Sequence, residues 1–173
     1  MPTLAMEAVT LKSDDKWDEF KSLTQEERTK VGIERFMILL DQKIHEAKDM
    51  LIERFDYICS QPAASAKFMY ENGLMAGYDG KSTRSALRHG TLALGQLGLA
   101  ETLQILIGQD HTTPEGMELA KKIEGLFKQR CAEFKEQFKL NFGVYYTPKL
   151  FGLGVAQVTA WKNYSVKRAI VIR

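Results

Sequence analysis

Residues 90–108 read GTLALGQLGLAETLQILIG, and the fold class turns on how this stretch is read. Thr91-Leu92-Ala93-Leu94 has the form of a short strand. Gly95 and Gly98 follow it, and Leu99 to Ile107 reads as a helix stopped by Gly108. Strand, glycines and helix in that order look like a dinucleotide-binding turn. The spacing, however, is G-x4-G-x2-G and not G-x-G-x-x-G, and no acidic residue follows at the end of a second strand about twenty residues on. The glycines are therefore read as permitting close packing of a strand against a helix.

On the C-terminal side, Thr113-Pro114-Glu115 opens another helix, with proline at its first position. Its apolar face is Met117, Ala120, Ile123, Leu126 or Phe127, Cys131, Phe134 and Phe138. Phe142 to Tyr146 is a second strand candidate, ended by Thr147-Pro148. On the N-terminal side, Ile33, Phe36, Met37, Leu40, Ile44, Ala47, Leu51, Phe55 and Ile58 recur at spacings of three and four. They predict a helix from about Thr24 to Cys59, closed by Pro62. Thr24 with Glu27 three residues later is a capping-box signature. Pro2 to Ala8 reads as the end of a strand entering a helix, and Lys12 to Glu27 as a charged, solvated connection. Helices alternating with short apolar strands argue for an α/β fold that is helix-rich with few strands.

The chain has 173 residues, of which 45% are hydrophobic and 27% charged, so one globular domain is expected. No apolar run approaches the roughly 18 residues that span a bilayer. The N-terminus lacks the basic region of a secretory signal. Two cysteines, Cys59 and Cys131, make no disulfide framework, which fits a reducing cytoplasm. Residues 149–173 carry Lys149, Lys162, Lys167, Arg168 and Arg173 with no acid, within a chain of net charge +2. The remaining body is mildly acidic and does not suggest a nucleic-acid-binding face.

Gly80-Lys81-Ser82-Thr83 has the form of the tail of a phosphate-binding P-loop. The first glycine of that motif falls on Met75, and Phe68-Met69-Tyr70 runs into a turn at Glu71-Asn72-Gly73 in place of a buried strand. Only the short run Arg84 to Arg88 follows. The stretch is read as a glycine-rich surface loop with a turn at Asp79-Gly80. Cys59 and Cys131 fall on apolar helix faces, where core packing outweighs reactivity. His45, His89 and His111 are scattered and form no metal set with the cysteines. His45 is expected in a polar surface role, and Asp110-His111 in a loop.

Several stretches together resemble one family. They are Lys67 to Gly73, Ala76 to Leu92, Gly95 to Leu103, Asp110 to Gly116 and Phe142 to Pro148. Over about residues 1–148 the chain resembles the large subunit of anaerobic (class III) ribonucleoside-triphosphate reductases, the glycyl-radical reductases. Pro2 to Ala8 resembles the segment leaving one strand of that family's catalytic barrel. The resemblance implies part of a ten-stranded α/β barrel and reduction of ribonucleoside triphosphates at the 2′ position by radical chemistry. It further implies a glycyl radical that oxidises a cysteine, whose thiyl takes the 3′ hydrogen. An iron–sulfur activase using S-adenosylmethionine makes the glycyl radical. Allosteric ATP or deoxynucleotide sites, a zinc site near the C-terminus and a homodimer complete the parent assembly. No nucleic acid or membrane partner is implied.

This chain departs from the family pattern. It is expected to begin after the thiyl-cysteine loop and to end before the glycyl loop, so no catalytic residue and no metal ligand is assigned. Neither Cys59 nor Cys131 matches the radical cysteine's context. After Tyr146-Thr147-Pro148 the family opens a helix whose N-terminus holds substrate phosphate, whereas this chain continues Lys149-Leu150-Phe151-Gly152. Thr147 is the one weak candidate for a phosphate contact. Residues 149–173 are expected to be an unrelated tail, such as a frameshift would produce, and the chain alone is expected to be inactive. A non-catalytic remnant acting as a structural or binding module is the alternative.

Overall fold

A computed structural model describes residues 1–10 and 22–146. The expectations for most of Lys12 to Glu27, for Thr147 and for the tail therefore fall largely outside the described residues. Helix α1 spans Pro2–Thr10 and α2 spans Gln25–Ser60. Short helices α3 (Lys67–Glu71) and α4 (Thr83–Leu87) follow. Then come β1 (Thr91–Gln96), α5 (Leu99–Ile107), α6 (Pro114–Phe138) and β2 (Asn141–Tyr146). Two strands pair in parallel, from Thr91 opposite Asn141 to Gln96 opposite Tyr146. Parallel neighbours need a long return path, and α5 and α6 supply it.

The capping box at α2 is present. The Thr24 backbone N–H donates to Glu27 Oε2 at 2.8 Å, and the Glu27 N–H donates to Thr24 Oγ1 at 3.3 Å. Its 36 residues make a rod about 54 Å long. Phe36, Leu40 and Ile44 are fully buried on one stripe, spaced by four. Pro2 to Ala8 is helix throughout, with no strand entering it. Proline suits the first helical position, and Ala5 and Ala8 are small enough to lie wholly buried in the core.

On α6 the Thr113 hydroxyl caps Gly116 N–H at 3.1 Å, and a Cβ at Gly116 would collide with the Asp110 carbonyl. The buried face of α6 is Leu119, Ala120, Ile123, Phe127, Cys131 and Phe134. It is rotated slightly from the sequence expectation. Leu119 replaces Met117, which is exposed, and Phe127 rather than Leu126 is fully inside. Across the α2–α6 interface Arg130 grips Asp41 bidentately, at 2.7 and 2.8 Å, and reaches Glu133 at 2.6 Å. Phe134 packs edge-on to Phe142 at 5.5 Å, which carries the helical core onto β2.

Between α2 and β1 the chain is pinned to the end of α2. Thr83 Oγ1 donates to the Cys59 carbonyl at 2.9 Å, and Arg84 pairs with Asp56 at 2.9 Å. Phe68-Met69-Tyr70 lies within α3, and no strand leads into the glycine loop.

Candidate functional site

In open parallel sheets ligands gather beyond the carboxyl ends of the strands, which directs attention to that end of the β1–β2 pair. Side chains alternate across a strand, and residues paired in register share a face. Leu92, Leu94 and Gln96 therefore turn toward the helices, with Phe142 and Val144 beside them; Leu94, Gln96 and Phe142 are buried. Thr91, Ala93 and Gly95 face the other way, with Asn141, Gly143 and Tyr145. This second face is open among the described residues, with Ala93 and Gly95 at its β1 edge bordering a groove shared with α1 and α2. It is built from small side chains and rises at one end to Tyr145, which is 54% exposed.

Two strand glycines flatten the open face, for different reasons. A Cβ on Gly143 would sit 3.3 Å from Thr91 Cγ2, tight against its cross-strand neighbour. At Gly95 the nearest atoms are 4.0 Å away on Tyr145, so packing alone would admit a methyl group. A strand glycine with no internal need for its smallness often marks a bulge, a bend at a barrel corner, or a place where a ligand or another backbone comes close. The close strand–helix packing expected of these glycines is not found at Gly95, and at Gly98, the N-cap of α5, the close approach is to another helix, α1. There a Cβ would lie 2.5 Å from Pro2 Cγ, and φ is +79°. At the base of the face Asn141 Nδ2 donates to Thr91 Oγ1 at 2.6 Å, which fixes both polar groups.

Gln96 closes the carboxyl end of β1 from the helix side. It is buried, and its amide donates to Glu124 Oε1 on α6. Gln96 Oε1 and Glu124 Oε2 have no partner among the described residues. Sequence reasoning passed over Gln96, Asn141 and Tyr145. The signal for them was the run of small residues at alternate positions of both strands. Thr147, the predicted phosphate contact, directly follows β2 and lies outside the described residues.

The Gly80-Lys81-Ser82-Thr83 loop is not a phosphate cradle. Its own Asp79 carboxylate accepts the backbone N–H groups of Lys81 at 2.8 Å and Ser82 at 2.9 Å. These bonds hold the Asp79 carboxyl below its ordinary range, so the amides a phosphate would need already serve an anion. Gly80 has φ +78°, as the turn reading requires, and α4 is only five residues long.

Neither thiol is activated. Burial raises the pKa of Cys59, partly offset by nearby Arg84, and burial raises that of Cys131. His45 is exposed, as expected of a polar surface role, with its ring edge-on to Phe134 at 5.2 Å and 3.9 Å from Asp41. His89 packs over Gly77, where a Cβ would meet its ring at 2.8 Å. His111 lines a shallow basin of about 510 Å3 with Leu99, Met117, Lys121, Glu124 and Lys128. Among the described residues no group of three or more His, Cys, Asp or Glu side chains could hold a metal ion. No described helix is long and apolar enough to cross a membrane.

Against this geometry, the family model for anaerobic ribonucleoside-triphosphate reductase matches residues 2–149. The chain belongs to that family. No curated protein matches it at a significant level. The family match extends over α1, both strands, the return helices between them and the loop that resembled a P-loop. It stops within one residue of the point where the sequence resemblance ends.

Proposed function

We propose that residues 1–148 form part of the wall of a reductase barrel, with the open face of β1 and β2 turned toward the ribonucleoside triphosphate. The observation that carries this reading is the two-sided character of the strand pair. One face is covered by α2 and α6, and the other is flattened by Ala93, Gly95 and Gly143. Parallel sheets are normally covered on both faces, so a bare face in a reductase-family chain is read as the lumen of a larger barrel. In this reading Tyr145, toward the carboxyl end of the open face, borders the substrate, and Thr147 is the candidate contact for its phosphates.

The chain by itself does not turn substrate over. The family's radical chemistry uses a cysteine thiyl at the substrate, made through a glycyl radical that an iron–sulfur activase installs. Cys59 and Cys131 both lie on helices, Cys131 within the core, with thiols made harder to ionise by burial. Residues 149–173, where the balance of charge changes, are an addition to the family segment. The parent enzyme is a cytoplasmic homodimer with allosteric nucleotide sites and a zinc site outside the described residues. The position of both thiols also favours a second reading, a non-catalytic module that keeps the fold and has lost the chemistry.

Amide NMR shifts during titration with a ribonucleoside triphosphate at millimolar concentration test the placement. Shifts concentrated at Gly95, Gly143 and Tyr145, with Lys81 to Thr83 unmoved, are expected. Shifts at Lys81 to Thr83 with a silent strand pair overturn the assignment.

A further inference from the structure

We draw no further inference here: the strongest candidate, the apolar groove of about 390 Å3 where α1 and α2 meet β1, lined by Leu4, Ile44, Leu51 and Ala93, carries nothing because nothing in the structure shows what covers it.

Discussion

Replacing Gly98 by alanine separates two costs that usually arrive together. Gly98 begins α5 at φ +79°, in the left-handed region, and its missing Cβ leaves the space that Pro2 of α1 occupies. An L-residue there carries a conformational penalty of about 1–2 kcal/mol. The added methyl would also stand 2.5 and 2.7 Å from Pro2 Cγ and Cδ, so α1 must shift. Overpacking of this kind costs about 1–3 kcal/mol. Gly108 is the internal control, because it ends α5 at φ +69° and a Cβ there would meet nothing within 4 Å. Gly108→Ala should show the conformational cost alone. Gly98→Ala should lose about 2–5 kcal/mol in all, and exceed Gly108→Ala by at least about 1 kcal/mol. Urea unfolding followed by circular dichroism, with both variants compared at equal slope, reads the difference. Equal losses for the two variants would refute the docking of α1 on Gly98.

Asp41 is held below its ordinary carboxylate range, chiefly by hydrogen bonds from Arg130, so the stability it contributes is full above the unfolded value of about 3.9 and lost as pH falls through the folded value. Asp41→Asn should cost about 1 kcal/mol at pH 7 and flatten the acid limb of a thermal-stability profile, while an unchanged limb would contradict the α2–α6 clasp. Thr24→Ala removes the α2 cap and should lower stability by about 1 kcal/mol, read as a fall in Tm. Lys81→Ala should leave any ATP binding measured by calorimetry unchanged, because Asp79 already occupies the loop amides. Disulfide-exchange reagents at neutral pH should modify Cys59 faster than buried Cys131 and neither at the rate of an activated thiol; a rapid reaction at Cys131 would oppose its placement in the core.

The long elements were legible because their information is local. Helix α2 shows its stripe at Phe36, Leu40 and Ile44 and its start at Thr24 and Glu27. Helices α5 and α6 announce themselves by Gly108 and by Thr113-Pro114. Strand β1 runs two residues beyond the apolar Thr91–Leu94 because Gly95 and Gln96 join the ladder with β2, a pairing set across about fifty residues of chain. Helix α1 was half hidden because nine residues offer only about two and a half turns of periodicity, and its alanines matter only once the core surrounds them. The rotation of the α6 face from Met117 to Leu119 likewise depends on where α5 and β2 press against it. At the candidate site, Thr147 was named through family resemblance, whereas Asn141, Tyr145 and Gln96 were not. Which face of a strand pair is open is a property of the helices that cover the other face, and no single strand records it.

One anaerobic turnover measurement bears most directly on whether this chain holds a complete radical site. The purified chain is incubated with a ribonucleoside triphosphate, a reductase-activating iron–sulfur enzyme, S-adenosylmethionine and a reductant, and deoxyribonucleotide is quantified by chromatography. The prediction is no product above a blank lacking the chain, because both thiols are carried on helices, Cys131 within the core, and burial makes both harder to ionise. Deoxyribonucleotide formed in proportion to the chain would contradict it and would mean that these residues carry the whole radical machinery.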